Sequence, residues 1–415
     1  IDLSKELSSK YHIRRGKVIF LLGDNSSEYI VYIIAGILLD AIIFPMPSDW
    51  DGKLLEYKPI LQPSLIVKMG ENGAKHHFKQ DGSYDYSHFF SSNKKPFLIT
   101  LTSGSTSKPK LILLDFHNFL NNSMNFAESS GFSKKTRLYH VLPLHYMAGL
   151  LNAFFSPMTC GATIILRDKF SLSSAINFWD SVILNDVNTL SLVPYFITLL
   201  SKLNITPDAS IIGSIHRVQS TSAPLLKLVR GKILDMTGVS PQNCYGITEF
   251  GGPLALEAYS LDRISTDVLI PIKGVDFKIK NNDLLIKTNS MMLGYLDNNK
   301  KLTKLEGRSG GGYYCTGDIG SEKKFGFSVT GRRKRVIIKG GVNISPLVIE
   351  ETIMNFYHNS DAAVVFKMDE NGDDKIILFI SYDEGVINNS ELFKLIRLNC
   401  GASHLPDKII KIGQI

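Results

Sequence analysis

Thr102-Ser103-Gly104-Ser105-Thr106-Ser107-Lys108-Pro109-Lys110 packs small hydroxyl residues and a glycine ahead of two lysines, directly after an extended apolar run from Phe97 to Leu101. A strand that delivers such a loop is suited to polyphosphate. Gly104 lets the backbone turn and approach an anion, Ser103, Ser105 and Thr106 offer hydroxyl and amide donors, and Lys108 and Lys110 add positive charge. It is not the Walker pattern, which needs two glycines around four residues and a Gly-Lys-Ser/Thr ending. By composition alone a Ser/Thr/Gly/Lys cluster is more often a solvated surface loop.

Other segments follow in order. They are Tyr245-Gly246-Ile247-Thr248-Glu249, Tyr314-Cys315-Thr316-Gly317-Asp318, Gly331-Arg332-Arg333-Lys334-Arg335 and Lys339-Gly340-Gly341-Val342-Asn343-Ile344-Ser345-Pro346. Together with the first they resemble the adenylate-forming superfamily: acyl-CoA and aryl-CoA synthetases, luciferases and peptide-synthetase adenylation domains. The resemblance covers about residues 15 to 412 and is strongest to acyl- or aryl-CoA ligases.

At 415 residues the chain is too long for one ordinary core and suggests a large, subdivided domain plus a smaller one. Its 44% hydrophobic and 20% charged residues fit a soluble globular protein. The longest apolar run, Tyr29 to Leu39, is too short to span a bilayer and reads as a buried helix. No signal peptide or lipidation motif is visible, so the expected location is cytoplasmic. Cys160, Cys244, Cys315 and Cys400 are widely separated, which argues against a zinc site and a disulfide framework. The net charge of +7 comes from scattered lysines and favours a solvated basic surface over a nucleic-acid face.

Short β-branched runs at Lys17 to Leu22, Ala162 to Leu166 and Thr189 to Val193 alternate with amphipathic stretches, the α/β order of parallel strands and covering helices. From Pro271 to Tyr295 the pattern changes to hairpins. Lys280-Asn281-Asn282-Asp283 forms the turn, and a small β-barrel or distorted sheet would close the large domain there. After Gly331 the sequence predicts a separate α+β domain: a helix from Pro346, strands at Asp361 to Met368 and Lys375 to Ser381, and a helix near Asn389 to Cys400. The expected domains are residues 1–331 and 332–415. The family implies that the second is mobile.

The resemblance implies that a carboxylate attacks the α-phosphate of ATP, and that a thiol captures the resulting acyl-adenylate. The attacking group is already ionised, so the protein must align and neutralise phosphates rather than supply a base. Thr102, Ser103, Gly104, Ser105, Thr106 and Lys110 would hold the β and γ phosphates, Thr248 the α-phosphate, and Glu249 the Mg2+ ion. Asp318 would accept from the ribose hydroxyls with Arg332 nearby, and Asn243, Tyr245 and Gly246 would border the adenine. Ser222 and Ala223 would lie beside the nucleotide. Lys334 falls at the family's hinge, and Gly340 and Gly341 at the glycine pair that lets the small domain approach during thioester formation.

Leu142-Pro143-Leu144-His145-Tyr146-Met147-Ala148-Gly149 resembles the Pro-x-His-x-x-Gly form of the CoA ligases, which makes His145 a gate or wall of the acyl pocket. Tyr195, Ser220, Thr221 and Gly251 would line it too. The family commonly has two glycines where Thr221 and Ser222 stand, and Gly where Ser107 stands. Side chains at Thr221 and Ser222 should narrow and polarise the pocket, so the expected substrate is a small or polar carboxylic acid. The family's C-terminal Gly-Lys lysine has no counterpart by Ile415, and Lys408 and Lys411 lie inside the preceding element. A start at Ile1 rather than Met favours trimming at both ends over loss of that residue. Three functions are consistent with these residues: an acid:CoA ligase, preferred; an enzyme loading an acid onto a carrier-protein phosphopantetheine; and a non-catalytic nucleotide-binding homologue. The expected cofactors are ATP, Mg2+ and coenzyme A.

Overall fold

The computed structural model describes the chain apart from residues 71–74, 103–109, 209–210, 212, 259–266, 334–336, 340–341, 345, 358–359, 369–373, 383–387 and 413–415. The chain divides into two compact units. One comprises Ile1–Pro224, Ile233–Asp276 and Lys287–Arg308; the other Leu225–Lys232, Phe277–Ile286 and Ser309–Ile415.

In the first unit Val18–Leu22 lies between Ile42–Met46 and Leu65–Met69, parallel to both, and Pro96–Leu101 is parallel to Ile42–Met46. Antiparallel strands complete the sheet. Leu111–Asp115 pairs with Pro96–Leu101 and with Gly294–Leu296, which pairs in turn with Leu302–Thr303, while Lys75–Lys79 closes the far edge. The run Val-Ile-Phe-Leu-Leu is apolar throughout because both faces are buried. Ile19 and Leu21 enter one core cluster with Ile43, while Val18, Phe20 and Leu22 enter another with Ile42 and Phe44. Alternate side chains of a strand point to opposite faces, so one apolar run serves two cores.

The apolar run at Tyr29 forms the helix Ser27–Leu38, capped by Ser26, whose side chain accepts from the Tyr29 N–H. Its expected full burial is corrected. Tyr29, Tyr32, Ile33 and Gly36 face the core, but Val31 and Leu38 are 48% and 59% exposed, because only one face of this helix meets the sheet.

The second sheet of this unit runs Leu269–Pro271, Gly252–Glu257, Gln242–Ile247, Arg217–Ser220, Thr189–Leu192, Arg137–His140, Thr163–Leu166. The last five are parallel where they pair, and the first two are added antiparallel. The expected strands at Ala162 and Thr189 are thus present. Among the described residues no helix is long and apolar enough to cross a membrane.

In the second unit Asp283 to Ile286, the first part of the strand Asp283–Thr288, pairs antiparallel with Tyr313–Lys323, which pairs antiparallel with Gly326–Arg332. The strand Val275–Lys280 precedes the first of these through Asn281 and Asn282, at φ 52° and 65°. Two positive φ values are what a two-residue type I′ hairpin needs, and asparagine tolerates them. The C-terminal part has strands Ser360–Met368 and Asp374–Tyr382 antiparallel, Lys408–Lys411 parallel to the latter, and helices Pro346–Phe356 and Asn389–Cys400. Ile349, Ile353, Ile376, Leu378, Ile380, Leu392 and Ile396 fill its own core.

Candidate active site

Parallel strands share a direction, and their carboxyl ends form one edge at which the following loops collect. Leaving the neighbouring strands of the second sheet in this way are the His140–His145 segment, Tyr195, Ser220 to Ala223, and Thr248-Glu249. In the first sheet the same edge emits Asp24-Asn25, Ser48 and Thr102.

The ends of the opening signature meet. Pro96–Leu101 and Leu111–Asp115 are paired through Leu101 and Leu111, and the Thr102 N–H donates to the Lys110 carbonyl at 3.1 Å. Ser103, Gly104, Ser105 and Thr106 lie outside the described residues. Lys110 Nζ stands 4.7 Å from the centre of the Tyr295 ring, whose hydroxyl donates to Glu249 Oε1 at 3.2 Å. Tyr295 therefore links the two motifs. Burial first, and then the Glu249 charge, push the Tyr295 phenol well above its ordinary value, so it stays a donor at neutral pH. No sequence motif singled it out. The pairing of Gly294–Leu296 onto Leu111–Leu113 puts it there, and that pairing is remote in sequence.

Glu249 sits in a short turn, Thr248–Phe250, closed by the Gly251 N–H to the Thr248 carbonyl at 3.0 Å. Gly251 is at φ 89°, and a Cβ there would lie 2.0 Å from the Ser290 carbonyl oxygen. Its glycine identity therefore serves the backbone of the Glu249 turn. Buried Asn122, also unflagged by sequence, donates to the Gly251 and Pro253 carbonyls at 2.9 and 3.2 Å. Gly246 likewise cannot carry a side chain without meeting the Gly252 carbonyl at 2.6 Å. Among the described residues no group of three or more His, Cys, Asp or Glu is disposed to hold a metal. One carboxylate, Glu249, suits a Mg2+ ion that takes its remaining ligands from phosphates and water.

Asn243 and Tyr245 are partly buried; the Asn243 N–H donates to the buried Glu257 carboxylate at 3.1 Å. Ser220 and Thr221 are buried, with the Thr221 N–H donating to the Leu192 carbonyl, whereas Ser222 and Ala223 are exposed. Ser222 adopts φ 73°, a conformation that favours glycine. Tyr195 is 67% exposed.

His145 is mostly buried, with its ring centre 4.2 Å from that of Tyr146 and 6.5 Å from that of Trp50. Burial, helped by the nearby Lys169 charge, lowers its pKa to about 4, against the opposing pull of Asp24 and Asp49. The imidazole is neutral at pH 7. Three residues, not two, separate His145 from Gly149, so the Pro-x-His-x-x-Gly form is met from Pro143 but not from Gly149. Counted from the glycine, its position falls on the exposed Tyr146.

In the second unit Asp318 and Arg332 are brought together, Arg332 Nε donating to Asp318 Oδ1 at 3.0 Å. Their register explains it, since Asp318 and Arg332 are cross-strand partners. Asp318 is 2% exposed, and its N–H donates to Thr316 Oγ1, which itself donates to the Leu284 carbonyl. Lys334, Gly340 and Gly341 lie outside the described residues.

Residues 3–296 match the family model described as AMP-binding enzyme. The chain belongs to this family. It is 29% identical over 319 residues to a malonate–CoA ligase of Arabidopsis thaliana, covering 71% of this chain and 51% of that one. To a 2-succinylbenzoate–CoA ligase of Staphylococcus aureus strain MSSA476 it is 28% identical over 327 residues, covering 76% and 63%. The chain thus spans between about half and two thirds of the length of these relatives. Among solved structures it resembles ATP-bound MatB from Rhodopseudomonas palustris, with TM-score 0.84, 19% identity, and 99% of this chain and 88% of that chain covered. It also resembles MenE, the o-succinylbenzoate CoA synthetase of Bacillus subtilis in complex with the acyl-adenylate intermediate OSB-AMP, with TM-score 0.78, 19% identity and coverage of 99% and 88%. At these identities the likeness is one of fold. The large α/β part and small α+β part expected from the sequence agree with the fold of these structures.

Proposed function

We propose that this protein is an AMP-forming acid–thiol ligase, activating a small or polar carboxylic acid with ATP and passing the acyl group to the thiol of coenzyme A. The observation that carries it is the Lys110–Tyr295–Glu249 arrangement, which joins a basic phosphate signature to a single carboxylate beside it. In the first step a carboxylate oxygen bonds to the α-phosphorus as the bond to the bridging oxygen breaks, and pyrophosphate leaves. Thr102 and Lys110, with the signature between them, would hold the departing phosphates, and Thr248 would donate to the α-phosphate. Mg2+ would neutralise phosphate charge, with Glu249 as its protein ligand. Tyr295 would fix the rotamer of Glu249, a form of pre-organisation that avoids reorientation during the reaction. In the second step the thiol sulfur attacks the acyl carbon, AMP leaves, and the thiol proton passes to solvent.

Neutral His145 supports an uncharged wall on the acid side, and the buried hydroxyls of Ser220 and Thr221 support a polar lining. Asp318, oriented by Arg332, would take the ribose hydroxyls; Asn243, Tyr245 and Gly246 would border the adenine. Residues 332–415 would act as the small domain, with Lys334 at the hinge and Gly340 and Gly341 at the thiol approach. The malonate and succinylbenzoate named for the relatives are acids of the proposed class.

The test is ATP–pyrophosphate exchange by the full-length protein over a panel of small aliphatic, aromatic and hydroxy acids, beside Glu249→Gln. Acid-dependent exchange that falls by about 100-fold or more in the variant, on the scale of a lost electrostatic contact at a reacting centre, is expected. Wild-type protein that binds ATP but exchanges with no acid would remove the proposal. Supplying coenzyme A or a phosphopantetheinylated carrier to the active protein then identifies the acceptor.

A further inference from the structure

We propose that Asn25 is a positioning residue for the acid side of the site: its carboxamide fixes the Leu142–Leu144 backbone that leads to His145 and ties it to the segment that carries Lys169. The inference rests on the acid-activation reading above. Asn25 is 7% exposed. Both of its Nδ2 donors are used, on the Leu142 and Arg167 carbonyls at 3.0 Å each, and Oδ1 accepts from the Leu144 N–H at 2.9 Å. Two donors and one acceptor on a short stem are what asparagine provides; aspartate lacks the donors and serine has only one.

The turn that presents Asn25 is itself fixed. The Gly23 N–H donates to the Met46 carbonyl at 3.0 Å, and Ser26 caps the helix Ser27–Leu38. Asp24, on the other side of Asn25, accepts from Ser48 Oγ at 2.5 Å and pairs with Lys169 at 3.0 Å. Residues 24 and 25 thereby join the carboxyl edges of the two sheets: Ser48 leaves the first sheet, and Leu142, Arg167 and Lys169 leave the second. His145 feels both members of the Asp24–Lys169 pair. The far end of its loop is braced separately. His140 Nε2 lies 3.0 Å from the Gly149 carbonyl, and a Cβ on Gly149 would stand 2.1 Å from the Pro143 carbonyl. Asn25 is therefore a polar tie from the first sheet onto this loop, whose Leu144 is also buried in a core cluster with Ile19, Leu21 and Ile43 of that sheet.

The experiment compares wild type, Asn25→Ala, Asn25→Ser, His145→Ala and the Asn25→Ala/His145→Ala double variant in acid-dependent ATP–pyrophosphate exchange, with folding checked by circular dichroism. Asn25→Ala is expected to lower kcat/KM for the acid about tenfold while KM for ATP stays within about twofold, and Asn25→Ser to lie between it and wild type. In the His145→Ala background the Asn25→Ala loss should shrink to less than about threefold, because the two act as one unit. Equal losses for acid and ATP, or a full loss persisting without His145, would overturn the assignment. Should Asn25→Ala not fold, Asn25→Ser carries the same comparison in both backgrounds. Wild-type protein without acid-dependent exchange would defeat the ligase reading and this inference with it, whereas an active wild type with independent effects defeats this inference alone.

Discussion

Ser222 takes φ 73° with its side chain in solvent, so the backbone cost is offset by little packing. A left-handed conformation in a non-glycine residue costs roughly 1–2 kcal/mol, while glycine gives back roughly 0.5–1 kcal/mol through its freer unfolded chain. Ser222→Gly should therefore stabilise the protein by a few tenths to about 1 kcal/mol, read as a higher urea midpoint at unchanged slope. A lower midpoint would show that the serine hydroxyl matters more than the strain. Glu249, Lys110 and Asp318 stood out in the sequence because each sits in a short motif that resembles one of a known family, and the roles proposed for them rest on that resemblance. Tyr295 and Asn25 did not. Their partners lie 46 and at least 117 positions away, and a tyrosine in a strand or an asparagine before a helix reads locally as ordinary structure. The His145 motif was legible only in part, since its two anchors, Pro143 and Gly149, point to different residues.

The element after His145 runs Ala148–Phe155 as a π-helix, a form uncommon enough to need support at its first turn. His140 provides it from the adjacent strand end, fully buried and bonded to Gly149. Burial lowers the His140 pKa from 6.5 to about 4. Between those values the unfolded chain holds a proton that the folded chain does not, so folding is opposed as pH falls through that window and the stabilisation is complete only above it. At 1.36 kcal/mol per unit the loss is on the order of 3 kcal/mol. His140→Gln keeps an N–H for the Gly149 carbonyl and removes the titration. Its urea midpoint should fall less steeply than that of wild type from pH 7.5 to 5, with the acidic response of His145 common to both. Parallel slopes would mean that His140 does not set the acid limit. Of the strands that frame this element, Thr163–Leu166 was legible from its β-branched run, whereas Arg137–His140, which has no β-branched residue, was not. The half-exposed helix Ser27–Leu38 was misread as buried because an apolar run does not say how many of its faces are covered.

At the scale of the whole molecule, the α/β order and the C-terminal helix–strand pattern followed from periodicity, because each segment's apolar spacing matches the element it forms. The membership of Leu225–Lys232 and Phe277–Ile286 in the second unit could not be read in this way, since it depends on contacts remote in sequence. Separate cores carry an energetic consequence. Leu378 is fully buried among Ile349, Ile353, Ile376, Ile380 and Ile396, all from the second unit. Leu378→Ala removes buried methyl groups and leaves a cavity, at a cost of about 2–5 kcal/mol. If the units unfold cooperatively as separate bodies, calorimetry should show one transition moved down by several degrees while the transition of the larger unit keeps its midpoint. The larger unit holds Lys110, Tyr295 and Glu249, so ATP binding measured below both transitions should persist in the variant. A single transition displaced as a whole would instead mean that the two cores fold as one, and that a defect behind Leu378 reaches the phosphate signature through global stability.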